Sequence, residues 1–192
     1  MQKNEIETFC PAGRQAWRKW LTENHDSKQA VWLVYRKKQS NLPTVTWSEA
    51  VEEALCFGWI DSLKKRLDEE TFLQFFCKRK PGSTWSKINK GKVKQLIEQE
   101  LITEAGHKAI EIAKANGSWT VLDEVEELII PKDLEQEFDN RPGAKDFFTG
   151  LSKSVRKAML QWLVLARQSE TRQKRITEIA SLAEKKMKPK QF

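Results

Sequence analysis

The stretch CFGWIDSLKKRLDEETFLQFFCKR, residues 56–79, decides the fold. It contains two strand-like runs on either side of the polar residues 68–70: Trp59 to Leu67, in which charged residues lie among apolar ones, and Thr71 to Arg79. Two such runs around a short polar turn predict a β-hairpin. The second run is mostly apolar, so we expect it to be a central strand of the sheet.

A third strand is predicted upstream of the hairpin. Residues 30–37, AVWLVYRK, have the composition of a strand and precede a polar loop at residues 39–46. Together with the hairpin they predict a small three-stranded antiparallel sheet. We therefore expect residues 1–80 to form an α+β unit.

Two helices are predicted to cover this sheet. The first begins near Pro11, a residue favoured in the first helical turn, and ends near His25. The second begins at a capping box formed by Thr46 and Glu49. Gly58 ends it in the position where glycine commonly terminates helices.

Only helical patterns follow the interruption Lys-Pro-Gly-Ser at residues 80–83. We therefore predict an α+β protein in which residues 81–192 form a helical bundle. No flexible linker is visible at the join, so we expect the two parts to pack as one compact globule. The predicted helices are residues 85–99, 103–116, 118–128, 131–139 and 143–149, one capped by Ser152 and one that opens at Ser169.

Composition excludes several classes of protein. Of the 192 residues, 39% are hydrophobic and 32% are charged, and the nearly apolar run from Met159 to Ala166 is too short to span a bilayer. Residues 1–9 carry acidic groups and no apolar segment, so no signal peptide is predicted. The three cysteines lie far apart and no zinc or haem pattern is present, which predicts a cytoplasmic protein without a metal or another cofactor.

Charge is distributed in blocks. The formal net charge is +7 for residues 1–97, −9 for residues 98–139 and +9 for residues 140–192. Either the acidic block packs beside the basic tail, or the basic blocks face solvent and meet an anionic partner. Arg172 and Arg175 lie beside the apolar stripe of the last helix, and for them we favour an internal carboxylate as the partner.

The strongest candidate for a binding site is the basic segment, KRKPGSTWSKINKGKVK, residues 78–94, which contains seven cations and no acid. Helical geometry places Lys87, Lys90 and Lys94 close together on one side of the predicted helix. The amide groups at the start of that helix could also hold an anion or a phosphate. The alternative is a capped amphipathic helix whose lysines are only solvated. A P-loop is absent, so nucleotide hydrolysis is not implied.

Asp61 is a second candidate. Because it lies among apolar residues, its charge needs a partner, which Arg66 or Arg79 on the hairpin could supply. A structural ion pair is the interpretation we favour. An Asp61 left partly desolvated and unpaired would instead have a raised pKa and could act as an acid or a base.

Six fragments of the chain carry a resemblance to a known family. They are FCPAGRQAWRKWLTENH (9–25), VWLVYRKK (31–38), TWSEAVEEALCFGWIDS (46–62), KRKPGSTWSKINKGKV (78–93), AKANGSW (113–119) and ARQSETRQKRI (166–176). In this order they resemble the bacterial YdeI/OmpD-associated family, also called the bacteriocin-protection family. The resemblance implies a soluble bacterial protein with an α+β front and a helical back, and a part in tolerance of bacteriocins, antimicrobial peptides or envelope stress. It supplies no catalytic residue.

Three functions are compatible with these patterns. The first is a non-catalytic binding protein that engages an anionic or peptide partner through a basic and aromatic surface. The second is a nucleic-acid-binding protein, and the third is an enzyme that acts on a small anionic substrate with Asp61 as acid or base. The candidate ligand-binding residues are Trp59, Asp61, Arg66, Arg79, Ser83, Thr84, Trp85, Ser86, Lys87, Asn89, Lys90 and Lys94.

Overall fold

The computed structural model describes residues 6–36 and 43–192 of the chain. They cluster into two compact units: the residues up to Ser83 together with Ile88–Trp119, and Thr84–Lys87 together with Thr120–Phe192. The segment Ile88–Trp119, which the sequence patterns grouped with the later helices, therefore clusters with the sheet. The division into domains at residue 80 stays a prediction.

The first unit contains a mixed sheet with strand order β1-β2-β4-β3. β2 and β3 are both antiparallel to β4, and β4 is central, as predicted. β1 pairs in parallel with β2, with Thr8 opposite Trp32, so the prediction of a three-stranded antiparallel sheet is wrong. A two-residue strand is too short to show an alternating pattern. The described elements are β1 (Thr8–Phe9), α1 (Arg14–Asn24), β2 (Ala30–Arg36), α2 (Trp47–Cys56), β3 (Trp59–Arg66), β4 (Thr71–Lys78), α3 (Lys87–Glu98) and α4 (Glu104–Ala115).

Local signals in the sequence explain where several elements begin. The predicted capping box at α2 is confirmed: the Thr46 hydroxyl accepts from the Glu49 amide, and the Glu49 carboxylate accepts from the Thr46 amide at 2.9 Å. The predicted strand at residues 30–37 is confirmed up to Arg36. Residues 37–42, which include part of the predicted polar loop, lie outside the described residues.

One face of the sheet is covered by α1. Val31 and Leu33 of β2 are buried on that face, whereas Trp32, which points to the other face, is half-buried. The ring of Trp17 in α1 packs 5.4 Å from that of Phe76 in β4. Alternation along β2 therefore separates a core face from a partly exposed face.

The turn between α2 and β3 packs closely against α4. Gly58 has a φ of +71°, and a Cβ there would lie 2.9 Å from the Ala105 carbonyl oxygen. Gly106 in turn packs on the Cys56 carbonyl, which also accepts hydrogen bonds from the amide and hydroxyl of Thr103 at 3.0 and 2.7 Å. Only glycine fits at both positions, so part of the motif CFGWID serves packing.

The second unit is helical. Its core includes the fully buried side chains of Leu134, Leu160, Leu163 and Ile179. The helices are α5 (Asp123–Glu126), α6 (Lys132–Asp139), α7 (Ala144–Gly150), α8 (Lys153–Val164) and α9 (Ser169–Glu184).

Most of the predicted helices after residue 80 are confirmed. The Ser152 hydroxyl caps α8 by accepting from the Val155 amide, as the sequence indicates. The helix predicted at residues 118–128 shrinks to α5, because turns follow Gly117, whose φ is +79°. No helix within the described residues has both the length and the apolar composition needed to cross a membrane.

Candidate functional site

The basic segment runs from the last residue of β4 through a turn at residues 80–83 into α3. The turn is fixed to the end of α4, because the Pro81 carbonyl accepts hydrogen bonds from Asn116 Nδ2 at 2.8 Å and from Ser118 Oγ at 3.1 Å. The fragments KPGS and NGSW, which are distant in the sequence, therefore meet in the first unit.

Trp119 follows this junction and is half-buried. The Nζ atom of Lys90 lies 5.8 Å from the centroid of its ring, and that of Lys114 lies 5.6 Å away. Ammonium groups at this distance are attracted by the π electrons of an indole. We call Lys90, Lys114 and Trp119 the lysine–Trp119 surface. Of these three residues only Lys90 was predicted from the sequence, although the tryptophan of the NGSW fragment was a usable signal.

Carboxylates neutralise two other cations of the basic segment. Lys92 Nζ lies 2.6 Å from Glu52 Oε1; burial would raise the pKa of Glu52, but this bond lowers it. Lys87 Nζ lies 2.7 Å from Glu127 Oε1, and this hydrogen bond raises the pKa of Lys87. Lys94 is exposed. The seven cations therefore do not form a uniform cationic face.

The N-terminus of α3 was one of the candidate sites for an anion. The Lys87 amide there donates to Glu126 Oε1 at 3.2 Å, and the other carboxylate oxygen of Glu126 accepts from Lys157 Nζ at 2.6 Å. Burial would raise the pKa of Glu126, but these bonds lower it. A carboxylate of the protein thus occupies the place expected for an external anion, because helix N-termini attract negative charge of any origin. The neighbouring candidate residues Ser83, Thr84, Ser86 and Asn89 are half-buried.

The two candidate tryptophans are buried. Trp59, in the first unit, is 0% exposed and packs edge-on against Trp20 with ring centroids 5.9 Å apart. Trp85, in the second unit, is 1% exposed. The expectation that these two indoles line an accessible surface is therefore wrong. Large apolar rings contribute more when they are removed from water than when they remain at the surface.

The partners of Asp61 differ from those expected. Its Oδ2 atom accepts from Trp47 Nε1 at 3.0 Å and, at the longer distance of 3.5 Å, from Gln74 Nε2. Arg66 Nε instead donates to a backbone carbonyl of the hairpin turn at 3.1 Å, so the predicted pairing of Asp61 with Arg66 is wrong. Hydrogen bonds from neutral groups satisfy the carboxylate and link the start of α2 to the sheet.

Two buried groups feel the charge of Asp61. Burial lowers the pKa of Arg79 to about 10, and the attraction of Asp61 opposes that change. Burial also raises the pKa of Tyr35, and the charge of Asp61 adds to that effect. The Tyr35 hydroxyl makes no hydrogen bond to any described residue. The charge of Asp61 therefore acts on Arg79, and the expected ion pair between the two side chains stays a prediction.

A charge cluster that the sequence analysis missed joins α1 to α2. Glu53 is 2% exposed, and its two oxygens accept from Arg14 Nε at 2.6 Å and from Arg18 Nη1 at 2.7 Å. The spacing of the two arginines on either side of the buried Trp17 was the available signal, since residues four apart share a helix face. A cavity of about 310 Å³ lies beside this cluster.

The acidic block pairs with the basic tail inside the second unit. Arg172 Nε and Nη2 donate to the two oxygens of Asp133 at 2.6 and 2.9 Å, and this pairing lowers the pKa of Asp133. Lys145 pairs with Glu135 at 2.6 Å. Arg175 lies over the ring of Trp162. The favoured interpretation, an internal carboxylate as partner of Arg172, is confirmed.

The fold and these contacts define an α+β protein with a four-stranded mixed sheet and a helical second unit. The chain belongs to the family described as a domain of unknown function (DUF8412), whose model matches residues 9–109, and its residues 127–186 match the model of the family described as "Bacteriocin-protection, YdeI or OmpD-Associated". The second match confirms the family that the sequence fragments indicated. No curated protein and no solved structure matches the chain.

The two matches divide the fragments that carried the resemblance. Those at residues 9–25, 31–38, 46–62 and 78–93 lie within the first match, and that at residues 166–176 lies within the second. The fragment AKANGSW lies between the matches. The match to the bacteriocin-protection family therefore lies within the helical second unit.

Proposed function

We propose that this protein is a non-catalytic binding protein that engages an anionic ligand or an acidic peptide at the lysine–Trp119 surface. Through this partner it contributes to tolerance of bacteriocins, antimicrobial peptides or envelope stress. The observation that carries the proposal is the position of two ammonium groups 5.8 and 5.6 Å from one half-buried indole ring. The description of the second matched family supports the physiological part.

The chemistry of this surface favours an anion with an apolar part. Its ammonium groups supply charge-assisted hydrogen bonds to carboxylates or phosphates, while the indole edge supplies apolar contact. The loop behind it is held by the two hydrogen bonds to the Pro81 carbonyl, so little order has to be gained on binding.

A second function, binding of single-stranded nucleic acid, is favoured by a different observation. Trp32 and Phe75 lie opposite each other on the two central strands, with ring centroids 4.9 Å apart, on the partly exposed face of the sheet. Lys65 Nζ lies 4.7 Å from the Trp32 ring. Aromatic side chains on a sheet, with cations beside them, are the elements that stack bases and contact phosphates.

Paired charge reversals test the first function. We expect Lys90→Glu with Lys114→Glu to abolish survival in a killing assay with a bacteriocin or a cationic antimicrobial peptide, and to weaken binding of a fluorescent octaglutamate at least tenfold. The control is Lys19→Glu with Lys108→Glu, which changes the net charge equally at exposed positions of the first unit. Unchanged survival and unchanged octaglutamate binding in the Lys90/Lys114 variant would refute the proposal.

The same proteins separate the second function from the first. A labelled twelve-nucleotide oligo(dT) bound by the sheet face should lose affinity in Lys65→Glu and keep it in the Lys90/Lys114 variant. Each phosphate contact adds about −0.7 to the slope of log affinity against log salt for single strands. A flat salt response would exclude nucleic acid as the partner.

A further inference from the structure

β3 is an edge strand whose second half is exposed. In the strand order β1-β2-β4-β3, β4 pairs with one side of β3, and no strand lies on its other side within the described residues. Trp59 at the start of β3 is buried, whereas residues 62–66 are all exposed. An open edge presents amide and carbonyl groups at the spacing of a further strand, so it can extend the sheet with an added chain.

Two exposed apolar side chains border this edge. Leu63 of β3 is 62% exposed, and Trp47, at the start of α2, is 49% exposed. The hydrogen bond from Trp47 Nε1 to Asp61 Oδ2, at 3.0 Å, holds the indole ring beside β3. A tryptophan fixed in this way gives a bound chain a large contact area at a small cost in conformational freedom. An added strand would therefore meet apolar side chains as well as the backbone of β3.

The exposed half of β3 is cationic on both faces of the sheet. Lys64 and Lys65 point to opposite faces, and each ammonium group lies over an aromatic ring, 4.1 and 4.7 Å from its centroid. Arg66 Nε donates to a backbone carbonyl of the hairpin turn. Among the described residues, no carboxylate forms an ion pair with any of these three cations, including the carboxylates of the turn at residues 68–70. The second half of β3 therefore has positive charge that the described contacts do not neutralise.

These charges distinguish between the chains that can add to the edge. Pairing with a second copy over the same residues would place cations opposite cations, which destabilises a sheet. Acidic side chains on an added strand would instead face the three cations at the short distance of cross-strand neighbours. We propose that residues 62–66 of β3 bind an extended acidic segment of a partner protein as an additional strand of the sheet, with Trp47 and Leu63 against its apolar side chains. This surface does not include the lysine–Trp119 surface, whose cations lie on α3 and α4.

The first test uses the full chain and a short fluorescent peptide in which three consecutive glutamates are flanked by alternating valine and threonine. Two N-methylated forms of the peptide are matched controls, since alternate amides of a strand point to opposite edges. Methyl groups on one set of amides block hydrogen bonds to β3, and methyl groups on the other set leave them intact. We expect one form to bind about tenfold more weakly and the other to bind like the parent peptide. Equal affinity of the two methylated forms would overturn the proposal.

Hydrogen exchange and charge reversal locate the added strand. The parent peptide should protect alternate amides within residues 62–66 from exchange. Lys64→Glu should weaken binding about fivefold, because it replaces an attractive cross-strand pair by a repulsive one. Affinity should stay unchanged in Lys108→Glu, the same charge change at an exposed position of α4, and in the Lys90/Lys114 variant. Binding without protection in β3, unchanged affinity in Lys64→Glu, loss of affinity in the Lys90/Lys114 variant, or a free protein that is already a dimer through β3 would each contradict the proposal.

Discussion

The contact between Gly106 and the Cys56 carbonyl makes a sharp prediction about stability. A Cβ added at Gly106 would lie 2.8 Å from Ile102 Cγ2 and 2.9 Å from the Cys56 carbonyl carbon, and closer still to the carbonyl oxygen. Carbon atoms normally pack at about 3.5–4.0 Å. Gly106→Ala therefore requires α4 to move away from the end of α2 by several tenths of an ångström or more.

The size of the effect follows from two opposing contributions. Overpacking of a well-packed site costs about 1–3 kcal/mol, and a backbone carbonyl cannot rotate away as a flexible side chain would, so the upper part of that range applies. In the opposite direction, replacing glycine by alanine inside a helix increases the free energy of unfolding by up to about 1 kcal/mol. We expect a net loss of about 2 kcal/mol in the free energy of unfolding, or roughly 4–8 °C in Tm for a chain of this length.

Urea unfolding followed by tryptophan fluorescence measures this loss. Gly91→Ala is the control, because Gly91 lies inside α3 and a Cβ there would meet no atom within 4 Å. That variant should gain stability, by up to about 1 kcal/mol. Equal gains from Gly91→Ala and Gly106→Ala would refute the argument that a close backbone approach requires glycine at Gly106.

Three further predictions follow from single side chains. Tyr35→Phe should raise the free energy of urea unfolding by about 1 kcal/mol, since it removes a buried hydroxyl without a described partner; a marked loss would contradict this. Thr46→Ala should cost about 1 kcal/mol through the lost cap of α2, and Thr46→Ser should restore most of it. Arg172 lowers the pKa of folded Asp133, so Asp133 stabilises the protein above its unfolded pKa of about 3.9 and loses that effect as the pH falls through the folded value. Asp133→Asn should accordingly reduce the urea midpoint at pH 7 and differ less from the wild type near pH 2, and a difference independent of pH would contradict this.

Local signals predicted most of the secondary structure. The hairpin, the capping box at Thr46 and the cap at Ser152 depend on residues within a few positions of one another, so the sequence alone contains the information. The order of the strands could also be predicted in part, because the apolar composition of β4 indicated a central position. β1 could not be predicted, since its two residues gain their conformation only from pairing with β2.

The candidate site was less predictable because its contacts are non-local. The start of α3 was a candidate site for an external anion, but nothing near Lys87 in the sequence indicates that the Glu126 carboxylate accepts a hydrogen bond there. Likewise, a tryptophan beside lysines in the sequence gives the same pattern whether its side chain is exposed or buried. In the structure Trp85 is buried. Spacing fixes which side chains share a helix face, whereas tertiary packing decides whether that face meets solvent.

Because the charge blocks pair with each other, the net charge of +7 attracts a distant anionic partner only weakly. In the second unit, acids of residues 98–139 pair with cations of residues 140–192, as Asp133 does with Arg172 and Glu126 with Lys157. Paired charges largely cancel at distances beyond the screening length of about 8–10 Å, so they attract a distant anion weakly. An anionic partner must therefore be recognised at short range, by individual groups rather than by the field of the whole protein. The lysine–Trp119 surface of the first unit offers such groups, since two ammonium groups lie 5.8 and 5.6 Å from one indole ring there.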